Sequence, residues 1–189
     1  MEKILRHPGD NPNHPYIIKA AFTGTAAANI KGQTLHNAFS FGFGNQFLSL
    51  SDNIRDERRT ELENLKIVII DEFSMMKSDM LYQLDLRLRE VKMKPDIVFG
   101  GVSIVLFGDI LQLRPVQANY IMEEPKHEMF RLAHAISPLW QKFEIKLICE
   151  SPLLAEQVLS PNLKKQSLRH NSVVSTCHFN TTFFLIFTV

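Results

Sequence analysis

The sequence predicts an α/β fold, a parallel β-sheet covered by helices. Short, continuous apolar runs rich in β-branched residues occupy residues 16–22, 65–70 and 102–107, the make-up of strands buried on both faces. Segments with helical character separate them, as in βαβ units. Each run ends in a small or acidic polar cluster: Thr23-Gly24, Asp71-Glu72 and Gly108-Asp109. Sheets of this kind bind ligands outside the carboxyl ends of their strands, so three clusters converge on one edge.

The elements follow in order. Pro8, Gly9, Pro12 and Pro15 make residues 1–15 a loop segment. After the first strand, Thr23-Gly24-Thr25 is a break, a short helix covers residues 26–30, and Gly32 ends it. Gly, Asn, Ser and Asp between residues 40 and 55 predict a surface loop, and a polar helix covers residues 55–64. After the second strand, Met76, Met80, Leu81, Leu84, Leu88 and Val91 fall on one helical face, with Asp79, Gln83, Arg87 and Glu90 assigned to the other. Pro95 lies beyond that helix, and the third strand runs into Gly108. From Ser151 onward no period is visible, and the Phe-rich run 183–187 has no evident partner; residues 151–189 read as a separate tail and a candidate for disorder.

Composition narrows the class. The chain of 189 residues is long enough for one core, and its formal net charge of +1 excludes a global positive field, so any nucleic-acid site must be local. Two cysteines, Cys149 and Cys177, are too few for a disulfide framework and suit a reducing compartment. No run approaches the ~20 apolar residues of a membrane span. The expectation is an intracellular protein, nuclear in a eukaryote, with the mitochondrion as the other location.

Three clusters can carry chemistry. Ile67-Val68-Ile69-Ile70-Asp71-Glu72 is an apolar strand ending in paired carboxylates, the Walker B pattern. One carboxylate on such a strand can hold Mg²⁺ while the next polarises an attacking water. The same pair equally suits the start of a helix. In residues 99–116, Asp109 and Gln112 follow a strand end, and Gln can both donate to a phosphate oxygen and accept from water; an ordinary polar turn fits as well. Around Thr23, small residues at a strand-to-helix turn let backbone N–H groups approach a phosphate closely. Thr34 and His36 add polar groups there. His36 reads equally as a structural histidine, and Phe39, Phe41, Phe43 and Phe47 as packing residues.

Together and in this order, the clusters resemble the Pif family of superfamily-one DNA helicases, RecD-like motors that also include the helicase part of Helitron transposons. Phe22-Thr23-Gly24-Thr25-Ala26-Ala27 with Asn29-Ile30, Gly32, Thr34 and His36 is similar to the family's motif Ia. Ile69-Ile70-Asp71-Glu72-Phe73-Ser74-Met75 is similar to motif II, and Phe99-Gly100-Gly101 through Gly108-Asp109, Gln112-Leu113 and Pro115-Val116 to motif III. Leu139-Trp140 and Phe143 fit the segment that follows, so the likeness covers roughly residues 17–147. It implies a partial first RecA-like P-loop NTPase lobe over residues 16–150. By position, Asp71 would hold Mg²⁺, Glu72 would activate water and Gln112 would contact the γ-phosphate of ATP. Asp109 would help couple nucleotide to DNA, and Thr23, Gly24, Thr34 and His36 would lie along single-stranded DNA. The resemblance implies ATP-dependent 5′-to-3′ unwinding in DNA repair, recombination and telomere maintenance.

The sequence also departs from the family. No G-x-x-x-x-G-K-[ST] phosphate loop occurs in it, Phe22 replaces the family's usual Pro, and nothing after Ser151 resembles the second motor lobe. These departures predict an incomplete motor that neither hydrolyses ATP nor unwinds DNA by itself. A non-catalytic DNA-binding remnant or a truncated transposon-derived product is the alternative reading.

Overall fold

The computed structural model describes residues 5–42, 47–108, 120–126, 128, 130, 139–148 and 182–187. A six-stranded sheet organises them, in the order β2-β1-β3-β4-β6-β5. The strands are β1 (Ile17–Ala21), β2 (Gln33–Thr34), β3 (Ile67–Asp71), β4 (Ser103–Gly108), β5 (Glu144–Ile148) and β6 (Thr182–Phe187). β2, β1, β3 and β4 are mutually parallel, as the alternation of apolar runs and helical segments predicts.

Helices connect them: α1 (Gly24–Asn29), α2 (Leu35–Phe39), α3 (Asp52–Glu61) and α4 (Ser78–Lys92). α1 begins two residues before the predicted start, because Thr23 supplies the N-cap and Gly24 is already helical. α3 begins at Asp52 rather than Arg55, and none of its own residues is buried. Strand β2 and helix α2 have no counterpart in the sequence reading. Two residues are too few to show a period, and α2 has only five.

One face of the sheet carries the main core. Ile18, Ala20, Val68, Ile70, Ile104 and Leu106 point to it and meet Leu81, Leu84, Leu88 and Val91 of α4, with Phe39, Phe73, Phe99 and Phe143. The other face is covered at β1 by α1, where Ala21 packs on Ala26 and Ala27. Farther along that face Ile67, Ile69 and Val105 are only half-buried. The expectation of strands buried on both faces therefore holds fully for one face. Alternation along each strand accounts for the difference.

α4 also departs from its predicted pattern. Asp79, Gln83 and Arg87, assigned to the face opposite the apolar one, are 8%, 6% and 3% exposed, so that face is covered as well. The loop before α3 lies over Arg87: its guanidinium donates to Ser40 O at 3.5 Å and Leu48 O at 2.8 Å, and stands 4.9 Å from the Phe47 ring centroid. It pairs with Glu90, whose other oxygen accepts from Leu50 N at 3.1 Å. Burial pushes the Arg87 pKa down, and Glu90 opposes that shift.

β6 is the largest departure. It lies antiparallel between β4 and β5, with Phe183 opposite Gly108 and Thr182 opposite Ile148. The Phe-rich run thus has two strand partners, and this end of the tail is an element of the sheet. Its spacing is that of any apolar run, and both partners are distant in sequence, so no local signal reveals the pairing.

Candidate functional site at the carboxyl edge of the sheet

Register brings the first two clusters together. Ala21 of β1 lies opposite Asp71 of β3, so whatever follows each strand emerges at the same edge. After β1, Thr23 is extended (φ −104°, ψ 155°), and its Oγ1 accepts from Ala26 N at 3.2 Å, capping α1. After β3, Glu72 takes the left-handed conformation (φ 55°, ψ 43°). A non-glycine residue held there costs about 1–3 kcal/mol. Thr23 Oγ1 donates to Glu72 Oε2 at 3.3 Å, across 49 residues of sequence. The Glu72 N–H donates to Asp71 Oδ1 at 3.0 Å, which occupies one oxygen of that carboxylate. Asp71, Glu72 and Thr23 are all half-buried, held by protein yet open to solvent.

Gly108 ends β4 beside them. A Cβ at this position would stand 3.0 Å from Phe73 Cδ1 and 3.1 Å from Phe73 N, so only glycine lets the strand finish against the residue that follows Glu72. Phe73 is fully buried and stacks on Trp140 at 6.4 Å, giving the edge an aromatic floor. Asp109 and Gln112, the remaining candidates for the nucleotide side, lie outside the described residues.

The predicted DNA-path residues cluster around Thr23. β2 pairs with β1 so that Thr34 is opposite Ala21, two residues before Thr23. Gly32 makes this possible, because a Cβ there would stand 2.3 Å from Lys19 O. Thr34 Oγ1 caps α2 by accepting from Asn37 N at 3.3 Å. Gly24 is exposed, with open space where a side chain would project. His36 is exposed, edge-on to Phe22 (6.5 Å) and Phe41 (6.0 Å). Phe39 is a core residue, and Phe41 and Phe47 pack against the core as loop residues; Phe43 lies outside the described residues.

Two polar groups behind the site escaped the sequence reading. Asp85, fully buried, accepts from Phe99 N and pairs with Arg89 at 2.9 Å. It thereby pins the turn at Phe99 and Gly100, whose φ values are 52° and 61°. Lys92 Nζ donates to the carbonyls of Leu62, Glu63 and Leu65, at 3.2, 2.7 and 3.3 Å, fastening the turn that feeds β3. Burial lowers its pKa. The i,i+4 spacing of Asp85 and Arg89 was the visible hint, but such pairs are common on exposed helix faces.

A metal would find one ligand here. Among the described residues no group of three His, Cys, Asp or Glu side chains could hold an ion. Mg²⁺ does not need one, since it keeps several waters and takes one or two carboxylates plus substrate phosphates. The oxygen of Asp71 not engaged by Glu72 N fits that requirement in kind.

The PIF1-like helicase family model matches residues 10–174, most of the chain. The chain belongs to the PIF1-like helicase family. The match runs past the region in which the motif resemblance was legible. Among relatives, the ATP-dependent DNA helicase RRM3 of Saccharomyces cerevisiae is 29% identical over 160 residues, 83% of this chain and 21% of that protein. The ATP-dependent DNA helicase PIF1 of Xenopus laevis is 40% identical over 100 residues, 51% of this chain and 15% of that protein. Among solved structures, Bacteroides sp Pif1 in complex with ADP-AlF4 is 39% identical over 54% of this chain and 24% of its own, with a TM-score of 0.46. Bacteroides Pif1 bound to ssDNA is 31% identical over 67% of this chain and 30% of its own, with a TM-score of 0.47. The PIF1-like chain described here therefore spans about a fifth of RRM3 and less than a third of either Bacteroides chain.

Proposed function

We propose that this chain is part of the first motor lobe of an ATP-dependent 5′-to-3′ DNA helicase. The observation that carries the reading is the meeting of Thr23 with Glu72 at the ends of adjacent parallel strands, which sets a DNA-path candidate against a catalytic one. In the complete motor Asp71 would hold Mg²⁺, which neutralises phosphate charge when bound. Glu72 would orient the attacking water and take its proton. Gln112 would contact the γ-phosphate and Asp109 would relay nucleotide state toward DNA. Thr23, Gly24, Thr34 and His36 would line the single strand. Nuclear or mitochondrial work in DNA repair, recombination and telomere maintenance belongs to the same proposal.

The 189-residue polypeptide alone is a different matter. It contains no Gly-Lys-Ser/Thr phosphate loop, which supplies the backbone donors and the lysine that cradle the phosphates. This favours a second reading for the isolated polypeptide, a DNA-binding module without turnover. The test is ATP hydrolysis with and without single-stranded DNA, beside a Glu72→Gln control. No turnover in either folded protein is expected. Turnover that disappears in the control would overturn the non-catalytic reading and mean that another segment of this chain cradles the phosphates.

A further inference from the structure

We propose that the Thr23 hydroxyl proton is shared between two acceptors, Glu72 and a DNA phosphate, so that single-stranded DNA entering at Gly24 releases the Glu72 carboxylate. The inference deepens the reading above and rests on it for the DNA path.

A threonine hydroxyl has one proton and two lone pairs. One lone pair already accepts from Ala26 N at 3.2 Å, and the proton goes to Glu72 Oε2 at 3.3 Å. A phosphate oxygen arriving beside Gly24 is a pure acceptor and can bind this hydroxyl only by taking the same proton. The two bonds are mutually exclusive, and the phosphate and carboxylate charges repel each other as well. The existing bond is long for O–H···O, where 2.5–3.0 Å is usual, so little is lost in breaking it.

The surroundings suit an exchange. Thr23 is half-buried and Gly24 is exposed with open space beyond it, so the hydroxyl can be reached from solvent. Glu72 is poised rather than relaxed: its left-handed backbone holds the carboxylate within reach of Thr23. With the hydroxyl turned away, Glu72 Oε2 is free to accept from another donor, such as a water. Thr23 is thus a positioning residue, acting on chemistry through Glu72. By reciprocity, whatever frees Glu72 must also change DNA affinity.

The experiment is a double-mutant cycle on the full chain, read by anisotropy of a fluorescein-labelled oligothymidylate. Glu72→Ala frees the hydroxyl for phosphate. It is expected to tighten binding in the Thr23 background roughly two- to tenfold more than in the Thr23→Val background, the range of one net hydrogen bond. Thr23→Ser keeps both cap and proton and is expected to restore the coupling. Thr23→Gly loses the capping hydrogen bond at little cost in helix stability and serves where Thr23→Val fails to fold. Equal effects of Glu72→Ala in the two backgrounds reflect only removal of a charge and would overturn the proposal while leaving the DNA path intact. No oligothymidylate binding by the folded parent would overturn the DNA path itself, and the proposal with it.

Discussion

At the residue scale, the site depends on backbone geometry that residue type does not announce. Asp71 and Glu72 were legible as a pair at a strand end, but nothing in their identity says that Glu72 is left-handed (φ 55°). Left-handed conformations disfavour a side-chain-bearing residue, so retaining Glu there stores strain at the site. Glu72→Gly is therefore expected to stabilise the chain by about 1 kcal/mol in urea unfolding, after allowance for glycine's extra freedom when unfolded. Glu72→Ala, which keeps the Cβ, is expected to give no such gain. Equal stabilities for the two variants would mean that the backbone at Glu72 is not strained. Thr23 was legible as a polar residue at a turn, whereas its bond to Glu72 spans 49 positions and depends on the β1–β3 register.

At the scale of elements, apolar runs mark β1, β3 and β4 well because each buries alternate side chains in the main core. The burial of the polar face of α4 was not legible, for a related physical reason. Periodicity distinguishes apolar from polar positions, but it cannot tell solvent from a covering loop. Arg87 is buried because the Phe47 ring lies over it and Leu48 O and Ser40 O accept from it, while Glu90 supplies the opposing charge. Its Nε finds no partner among the described residues, so the clasp is incompletely satisfied. Arg87→Ala would leave Glu90 largely buried beside unpaired loop carbonyls. A loss of about 3–5 kcal/mol is expected in chemical denaturation, the range for breaking one side of a buried pair. A loss below ~1 kcal/mol would place the loop's hold elsewhere.

At the scale of the whole molecule, the alternation of strands and helices implied a parallel sheet, and β1, β3 and β4 run parallel as neighbours. The strands beyond β4 were not legible. β6 joins β4 to β5 through antiparallel pairing with both, and the chain enters it at the carboxyl edge, where Phe183 stands beside Gly108. Such long-range pairing leaves no periodic trace beyond a short apolar run. The family model reaches residue 174, so family membership extends farther than the motifs that first suggested it. Among the described residues no helix is long and apolar enough to cross a membrane.

The functional reading requires that the edge carrying Asp71 and Glu72 also receives single-stranded DNA beside Gly24. Gly24 is the first residue of α1, is exposed and has open space around it. An acidic residue there suits the helix start, so Gly24→Asp should fold at least as well as the parent. The measurement is oligothymidylate affinity of the folded chain and of Gly24→Asp at one ionic strength. Binding by the parent that weakens roughly tenfold or more in the variant is the expected result, because a fixed carboxylate would face the phosphates. Equal affinities, or no binding by the parent, would contradict a DNA path at this edge.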